Sequence, residues 1–326
     1  MTEDDLIARF FAPIAGPAAL GLKDDTALYA PPAGHELVLT VDAVVAGVHF
    51  FADDPPEAIA RKALRVNISD LAAKGSEPQG FLLTLALPSA YSADWLGRFA
   101  SALGEDAKTY RCPLMGGDTV STPGPLMISI TVLGSVPAGA MVKRTGAEAG
   151  DILFVTGTIG DAALGLFVHG KSPPSWATQL SGPHREFLIS RYLEPQPRLA
   201  LAPIVRACAN GAMDISDGLV GDATKMMRAS GFAARVDLAR VPFSDATKAV
   251  ISQPEVFESA ITGGDDYEIL CAVPPSHAMV FEQLALKEGV AVTRIGEVID
   301  GVAGSVTFIG VDGKPRTFAR GSYSHF

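Results

Sequence analysis

The sequence predicts a two-domain protein of the mixed α/β class. Segments with the β-branched composition of strands are followed by segments with apolar residues at helical spacing, and this alternation runs through both halves of the chain. The 326 residues, 48% of them hydrophobic and 19% charged, provide apolar material for two packed cores. Gly139, Gly146 and Gly150 interrupt the periodic segments near the middle. We therefore expect one domain at residues 1–140 and another at residues 141–326.

The first half is predicted to alternate between helices and strands. A short helix at residues 6–11 precedes a loop that contains glycine and proline. Residues 36–45 alternate and are rich in β-branched side chains, so we expect a strand there. The alanine-rich residues 58–74 have apolar side chains at helical spacing, which predicts a helix. The elements expected after it are a strand at 81–87, a helix at 93–110 and a strand at 126–136.

The second half is predicted to repeat this pattern more loosely. A strand at residues 152–156 opens it, and residues 217–230 are expected to form a helix that is entered from an Asp-rich turn. Residues 172–182 are polar and contain prolines, which favours a surface loop. The other predicted elements are helices at 161–169, 198–209 and 276–288, strands at 267–273 and 291–298, and a hairpin around Asp312-Gly313.

The charge and cysteine patterns argue against several classes of protein. The net charge of −10 and the lack of a Lys/Arg-rich stretch argue against a nucleic-acid partner. Cys112, Cys208 and Cys271 lie far apart and show neither a disulfide framework nor zinc-ligand spacing, which indicates a reducing compartment. Residues 1–20 carry acids where a signal peptide needs basic residues, and no apolar run approaches the roughly 20 residues that span a bilayer. We expect a soluble, cytoplasmic protein without a membrane partner.

Five acidic clusters are the main functional signal. Mg²⁺ prefers hard oxygen ligands and is usually held by one or two carboxylates together with substrate phosphates, so a site for several Mg²⁺ ions would be scattered along the sequence. Each cluster alone also fits a turn or a helix cap, because a short carboxylate accepts hydrogen bonds from nearby backbone N–H groups. The clusters are Asp24-Asp25, Asp42, Asp70, Gly116-Gly117-Asp118, and Asp214 with Asp217.

Other segments admit both a functional and a structural interpretation. Gly116-Gly117 would let the backbone approach a phosphate closely, but a tight hairpin needs the same glycines. His49 follows the strand of Asp42 and could contact a ligand or be a hydrogen-bonded structural histidine. Arg144 could bind a phosphate or lie solvated near the domain boundary. Glu268 is expected to begin a buried strand, where it would be structural.

The familiar nucleotide and nucleophile motifs are absent from the sequence. There is no GxxxxGK[ST] phosphate loop, no kinase-type glycine-rich loop with a catalytic HRD, and no GxSxG nucleophile elbow. If the protein uses ATP, we therefore expect a different nucleotide-binding fold.

In their order and spacing, the motifs resemble those of the thiamine-monophosphate kinase family, whose superfamily includes aminoimidazole ribonucleotide synthetase and selenophosphate synthetase. The resemblance covers essentially the full length. It is carried by residues 23–27 (KDDTA), 40–42 (TVD), 45–50 (VAGVHF), 66–73 (VNISDLAA), 116–119 (GGDT), 144–146 (RTG), 150–151 (GD), 214–219 (DISDGL), 263–268 (GGDDYE) and 323–326 (YSHF).

The resemblance implies a fold and a reaction. The fold would be that of the aminoimidazole ribonucleotide synthetase superfamily, with an N-terminal sheet that forms a barrel in a homodimer and a C-terminal α/β domain that closes the active cleft. The reaction would be Mg²⁺-dependent, direct in-line transfer of the γ-phosphoryl group of ATP to thiamine monophosphate, the final step of thiamine diphosphate biosynthesis. It needs no general base or covalent phospho-enzyme, because the acceptor phosphate is already a competent nucleophile.

The resemblance also assigns residues to the site. The Mg²⁺ positions would be Asp25, Thr40, Val41, Asp42, Asp70, Asp118, Asp214 and Asp217, with Val41 contributing only its carbonyl oxygen. The ATP contacts would be Gly117, Asp118, Arg144 and Ser216, and the thiamine-phosphate contacts would be His49, Asp265 and Tyr323. Three positions depart from the family pattern: Lys23 replaces a glycine, Val41 a hydroxyl residue, and Asp265 a glutamate.

Two other functions are consistent with the same residues. One is an ATP-dependent synthetase of the same superfamily, against which His49 and Tyr323 argue. The other is a non-catalytic module that binds Mg²⁺ and nucleotide. ADP formation with each acceptor would distinguish them.

Overall fold

The computed structural model describes residues 2–89, 91–318 and 321 of the chain. The chain divides into two compact units, which we describe separately. Unit 1 comprises Met1–Leu71 and Ser76–Ala140. Unit 2 comprises Ala72–Gly75 and Met141–Phe326.

Unit 1 is built around a four-stranded sheet of order β1-β4-β2-β3. Strand β4 pairs antiparallel with β1 and β2, whereas β3 pairs parallel with β2. The strands are β1 (His35–Val45), β2 (Glu77–Leu87), β3 (Leu114–Ser121) and β4 (Met127–Pro137). The helices are α1 (Glu3–Leu6), which continues into a π-helical turn (Ile7–Phe11), α2 (Pro56–Ala73) and α3 (Ala93–Thr109).

The two faces of this sheet differ in burial, as expected for strands whose side chains alternate. Val38 and Val44 of β1 are buried, and on β4 the residues in register with Thr40, Asp42 and Val44 (Val132, Ile130 and Ile128) are fully buried. The opposite face exposes large apolar side chains. They are Leu37, Leu39, Val41, Leu82 and Val120.

Unit 2 contains a seven-stranded mixed sheet of order β11-β10-β7-β9-β5-β8-β6. Its strands are β5 (Ile152–Thr156), β6 (Gly211–Ile215), β7 (Ala233–Asp237), β8 (Glu268–Val273), β9 (Val292–Ile299), β10 (Val306–Ile309) and β11 (Pro315–Arg316). Its helices are α4 (Asp161–His169), α5 (Gly182–Leu193), α6 (Ala202–Cys208), α7 (Leu219–Ser230), α8 (Asp245–Lys248), α9 (Pro254–Thr262) and α10 (Pro275–Lys287).

Helices pack on both faces of this sheet. Met213 and Leu270 share an apolar core with α7, for example with Met226, while their neighbours Ala212 and Cys271 share another core with α6 and α10. A third core joins α4, α5, α8 and α9. Successive residues of β6 and β8 therefore face opposite helical layers, which is why both strands are buried throughout their length.

Most predicted elements are confirmed to within two residues. These are the strands predicted at 36–45, 126–136, 152–156, 267–273 and 291–298, and the helices at 58–74, 93–110, 161–169, 217–230 and 276–288. The hairpin around Asp312-Gly313 is also confirmed, since β10 pairs antiparallel with β11.

Other parts of the prediction were wrong or incomplete. The Gly116-Gly117 segment, for which we considered a tight hairpin, lies inside strand β3. Residues 172–182 contain a 3₁₀ turn (Ser175–Gln179) whose Trp176 and Ala177 are buried. The helix predicted at 6–11 is mostly a π-helical turn, the one at 198–209 begins as a 3₁₀ turn, and the strand predicted at 81–87 starts at Glu77. Helices α5, α8 and α9 and strands β3 and β7 were not predicted.

A membrane-crossing helix is not found in the described part of the chain, where each helix is too short or too polar to span a bilayer.

Candidate functional site

Strand β1 carries three of the predicted metal positions in consecutive residues. Thr40 and Asp42 lie in the same alternation as the buried Val38 and Val44, but Asp42 is exposed and Thr40 partly exposed. The side chain of Val41 is 60% exposed on the other face. Since an isopropyl group cannot bind a cation, only the backbone carbonyl of Val41 is a possible ligand.

Asp70 joins this group from the last turns of α2. The hydroxyl group of Thr40 donates a hydrogen bond to Oδ2 of Asp70, which holds α2 over the Thr40 face of the sheet. A carboxylate near a helix C-terminus is unfavourable, because it adds to the negative end of the helix dipole. Asp70 contacts Thr40, and Asp42 lies two residues further along the same face of β1, so both carboxylates are placed on this face as candidate ligands for a cation.

Gly117 and Asp118 lie on β3, at the other edge of the same sheet. Gly117 is in register with Leu83 and Asp118 with Thr84, and Asp118 is exposed. Two strands separate β3 from β1, so Asp118 lies about 14 Å from the β1 edge at ordinary strand spacing. Within unit 1 the structure therefore brings Thr40 and Asp70 together, but it does not bring Asp118 to them.

The loop before β1 holds Asp24 and Asp25, both exposed. Oδ1 of Asp24 accepts hydrogen bonds from the backbone N–H and the hydroxyl group of Thr26, at 3.3 and 3.4 Å. Asp24 thus has the role of a turn residue, which was the structural alternative for this acidic cluster. Asp25, the predicted ligand, lies beside this turn.

Two hydrogen bonds hold His49 in one orientation and one ring tautomer. Its Nδ1 accepts a hydrogen bond from the N–H of Val45 at 3.1 Å, so the ring proton must lie on Nε2. Its carbonyl oxygen accepts a hydrogen bond from the buried ammonium group of Lys62 at 2.9 Å. His49 is therefore structurally fixed, and its Nε2–H is a donor suited to an anionic oxygen.

In unit 2 the predicted ligands Asp214 and Asp217 flank the end of β6. Asp214 is 6% exposed and pairs with Ile269 of β8. The N–H of Asp217 donates to Oδ2 of Asp222 at 2.9 Å, which ties the turn to the first turn of α7. The ammonium group of Lys225 contacts Oδ2 of Asp217 and lies 2.9 Å from Oδ1 of Asp222.

Burial and hydrogen bonding shift the titration of this acid–base group. Burial raises the pKa of Asp222, although the hydrogen bond from Lys225 opposes this shift. Burial lowers the pKa of Lys225, but hydrogen bonds to Asp217 and Asp222 outweigh it, so the pKa of Lys225 lies above its ordinary value. The ammonium form of Lys225 is thus stabilised by two carboxylates.

The predicted ATP residues Arg144 and Ser216 lie in turns of unit 2. Arg144 is exposed in a 3₁₀ turn, and its carbonyl oxygen accepts a hydrogen bond from the hydroxyl group of Ser230 at 2.9 Å. Ser216 lies between Asp214 and Asp217, and its carbonyl oxygen accepts the N–H of Asp265 at 2.9 Å. The segments 214–218 and 263–267 are therefore directly hydrogen-bonded.

Segment 263–267 places the predicted acceptor ligand Asp265 in a constrained backbone. Asp265 and Tyr267 have φ of 72° and 51°, in the left-handed region that side chains other than glycine rarely adopt. The N–H of Tyr267 donates to the carbonyl of Ile215 at 2.9 Å, and its hydroxyl group lies 3.3 Å from Oδ1 of Asp265. A Cβ atom at Gly264 would overlap the carbonyl oxygen of Ser216, so this close approach requires glycine.

Two buried acids, Asp266 within this segment and Glu268 directly after it, hold it to neighbouring elements. The carboxylate of Asp266 accepts the N–H of Gly160 at 2.7 Å and that of Ala162 at 3.3 Å, at the start of α4. Burial raises the pKa of Asp266 well above its ordinary value. Glu268 is fully buried and receives hydrogen bonds from Arg191 at 2.9 Å, from Nε of Arg198 at 2.6 Å, and from Thr156. Glu268 is structural, as predicted.

Sequence reasoning missed several residues that position the predicted ligands. Lys225 and Asp222 were interpreted only as part of a helix, and Asp266 was not distinguished from Asp265. The available signal was spacing, because Asp222 and Lys225 are separated by three residues and face the same side of a helix. Tyr323, the remaining predicted acceptor contact, lies outside the described residues.

A preassembled cage is not found for a metal ion: among the described residues, no group of three or more His, Cys, Asp or Glu side chains could hold one. The acidic residues are instead distributed over separate strands, loops and helix ends.

Comparisons with known proteins give one consistent result. Residues 23–136 match the family described as AIR synthase related protein, N-terminal domain, and residues 148–309 match the corresponding C-terminal domain. A thiamine-monophosphate kinase of Caulobacter vibrioides is 43% identical over 320 residues, covering 96% of this chain and 89% of the relative. The crystal structure of thiamine-monophosphate kinase from Stenotrophomonas maltophilia has a TM-score of 0.85 at 36% identity and covers 97% of this chain and 98% of that one. A structure described as AaThiL complexed with AMPPCP and TMP has a TM-score of 0.77 at 30% identity, with coverages of 93% and 91%.

Proposed function

The chain belongs to the thiamine-monophosphate kinase family, and from this premise we propose that it transfers the γ-phosphoryl group of ATP to the phosphate of thiamine monophosphate. The products are thiamine diphosphate and ADP. One observation carries this proposal: the similarity to a kinase of this name covers 96% of the chain at 43% identity, so it includes both halves of the predicted site. The structure described as AaThiL with AMPPCP and TMP supports the choice of substrates.

We propose that the reaction depends on several Mg²⁺ ions, which would neutralise the phosphates and align them for in-line attack. The residues fit such ions. Mg²⁺ keeps much of its water shell and shares its remaining positions between a few carboxylates and substrate phosphates, so scattered acids suit it better than a closed cage. In unit 1 the ligands would be Asp25, Thr40, the carbonyl of Val41, Asp42, Asp70 and Asp118, and in unit 2 they would be Asp214 and Asp217.

The chain itself contributes binding and orientation. The backbone of Gly117 and the side chains of Asp118, Arg144 and Ser216 would bind ATP, with the exposed Arg144 guanidinium available to phosphate oxygens. A phosphate monoester is largely dianionic near neutral pH, so the acceptor needs no general base. Positioning and charge neutralisation then provide most of the rate enhancement.

The acceptor contacts are proposed at three positions. Nε2–H of His49 is a fixed donor for an anionic oxygen, and Asp265 offers a carboxylate to the cationic part of thiamine. Asp265 is one methylene shorter than the glutamate of the family pattern, and its left-handed backbone sets where this shorter side chain begins. Tyr323 is proposed as the third contact on the resemblance alone.

We also propose that the protein is a cytoplasmic homodimer. Leu37, Leu39, Val41, Leu82 and Val120 form an exposed apolar face on the unit 1 sheet, and large exposed apolar patches on soluble proteins mark interaction sites. A second copy of this sheet, joined into a barrel as the family resemblance implies, would cover this face. Sedimentation velocity should show a dimer, and Leu39→Glu should shift it to a monomer.

A direct assay tests the proposed reaction. Purified protein is incubated with ATP and Mg²⁺, with either thiamine monophosphate or free thiamine as acceptor, and ADP and thiamine diphosphate are quantified. Product with the monophosphate alone is expected. Failure with both acceptors, in folded protein that still binds ATP with Mg²⁺, would favour another synthetase of the superfamily or a non-catalytic nucleotide-binding module.

A further inference from the structure

The ammonium group of Lys225 occupies the position on Asp217 where a metal ion is expected. Its Nζ contacts Oδ2 of Asp217 and lies 2.9 Å from Oδ1 of Asp222. The side chains of Lys225 and Asp217 are 33% and 39% exposed, so this ion pair lies at the solvent boundary. A cation therefore already neutralises the carboxylate that the proposed function assigns to Mg²⁺.

Asp222 gives Lys225 an anchor that does not depend on Asp217. The carboxylate of Asp222 is fully buried and uses one oxygen for Lys225 and the other for the N–H of Asp217. Lys225 and Asp222 lie three residues apart on the same side of α7, which keeps them adjacent. If Lys225 releases the carboxylate of Asp217, it therefore keeps a partner, and the backbone of Asp217 stays in place.

We propose that Lys225 is a positioning residue that holds Asp217 in the metal-free enzyme and competes with Mg²⁺ for its carboxylate; this inference rests on the proposed function. Two cations on one carboxylate repel each other, so metal binding requires the ammonium group to withdraw toward Asp222. The competition weakens binding of free Mg²⁺ at Asp217. A metal ion that arrives with nucleotide phosphates is less affected, because the phosphates supply further ligands.

A purely structural role for Lys225 makes the opposite prediction. If Lys225 served only to neutralise the buried Asp222, its removal would loosen the turn that carries Asp217, and metal binding would weaken or stay unchanged. Competition predicts tighter binding, and damage to the fold does not produce a gain in affinity.

The test measures Mn²⁺ binding to the nucleotide-free protein by calorimetry and by electron paramagnetic resonance of free Mn²⁺. Lys225→Met should bind Mn²⁺ about fivefold more tightly at the site that Asp217→Asn removes, the size expected for a partly exposed ion pair. Lys225→Arg, which keeps the charge, should resemble the wild type. Lys248→Met is the matched control, since Lys248 also pairs with an Asp three residues before it, at 3.2 Å, and this pair lies on the exposed side of α8 in unit 2. It should leave Mn²⁺ binding unchanged, which separates local competition from net charge.

A second variant guards against misfolding, because Lys225→Met leaves the buried Asp222 without its counter-charge. Asp222→Asn with Lys225→Met removes both charges and keeps an amide oxygen for the N–H of Asp217. It should show the same gain in affinity and a lower Mg²⁺ requirement for turnover. The inference is overturned if neither Lys225→Met nor the double variant binds Mn²⁺ more tightly than Lys248→Met does. It is also overturned if both of these variants unfold while Lys225→Arg folds. Unchanged Mn²⁺ binding in Asp217→Asn instead removes Asp217 from the metal ligands of the proposed function.

Discussion

Replacing Glu268 by glutamine removes the negative charge at the centre of a fully buried network. Its carboxylate lies 2.9 Å from Nη2 of Arg191, 2.6 Å from Nε of Arg198 and 2.6 Å from the hydroxyl group of Thr156. The side chains of Arg191 and Arg198 are only 10% and 23% exposed, so glutamine removes the negative charge that both poorly solvated guanidinium groups contact. Removing one partner of a buried ion pair costs about 3–5 kcal/mol, and we expect Glu268→Gln to lower the free energy of unfolding by this amount.

The chain offers a control with the same geometry at the surface. Glu282 receives two hydrogen bonds from Arg294, from Nε at 2.7 Å and Nη2 at 2.8 Å, but the two side chains are 37% and 42% exposed. Glu282→Gln should cost about 0–1 kcal/mol, because water screens the pair and replaces its hydrogen bonds. Both acids belong to unit 2 and each receives a hydrogen bond from Nε of an arginine, but Glu268 is fully buried and also contacts Arg191 and Thr156.

The assay is urea unfolding of the wild type and both variants at pH 7, followed by circular dichroism and analysed at a common slope. Glu268→Gln should shift the unit 2 transition to clearly lower urea, and Glu282→Gln should leave it nearly unchanged. A difference between the two variants below about 1 kcal/mol would show that burial does not set the strength of these pairs, and it would refute the reasoning.

Three further predictions follow from the site and the core. Asp42→Asn and Asp118→Asn should each reduce turnover by about a hundredfold or more, since changes even to the outer shell of a metal site cost about 10–100-fold. The thermal midpoint should stay near that of the wild type, because both side chains are exposed. Wild-type turnover and a wild-type KM for Mg²⁺ in both variants would remove the two residues from the site. Gly117→Ala should lower the free energy of unfolding in urea by about 1–3 kcal/mol, because its Cβ would overlap the carbonyl oxygen of Leu83. Gly116→Ala should cost less, since the Cβ there meets only the Leu82 side chain at 3.4 Å. A larger loss of stability in Gly116→Ala than in Gly117→Ala would contradict the register of β2 and β3. Burial raises the pKa of Cys271 to about 12 and raises the pKa values of Cys112 and Cys208, so few thiolates exist in the folded state. The native protein at pH 8 should therefore react slowly with a thiol reagent, and the unfolded protein should consume three equivalents of it. A fast reaction of the native protein would show that one of these sites opens locally.

The sequence predicted the elements whose side-chain pattern matches their environment. Residues 36–45 could be predicted as a strand because Val38 and Val44 are buried on one face of β1, while Leu37, Leu39 and Val41 are exposed on the other. Strand β3 was missed because glycine is uncommon in strands and two glycines, Gly116 and Gly117, lie within it. Glycine is needed at position 117 because a side chain there would overlap the backbone of the neighbouring strand β2. Helix α5 was missed because residues 182–193 mix polar and apolar side chains without a clear period.

The candidate ligands were chosen by residue type, but the contacts that hold them could not be predicted. Asp42, Asp70, Asp118 and Asp217 were selected as oxygen ligands from their residue type and positions, and this assignment stays a prediction. The hydrogen bond between Thr40 and Asp70 spans 30 residues, and the network of Glu268 spans up to 112. Such contacts depend on the packing of separate elements, and no local pattern encodes them.

The hydrogen bonds between segments 214–218 and 263–267 bear on any attempt to redesign the acceptor contact proposed at Asp265. Gly264 cannot accept a side chain, and the N–H groups of Asp265 and Tyr267 donate to carbonyls of segment 214–218. A backbone change made to admit a larger acceptor would therefore also move Asp214 and Asp217. New acceptor specificity is more readily obtained by exchanging the side chain at position 265, where length and charge can vary while the two segments remain joined.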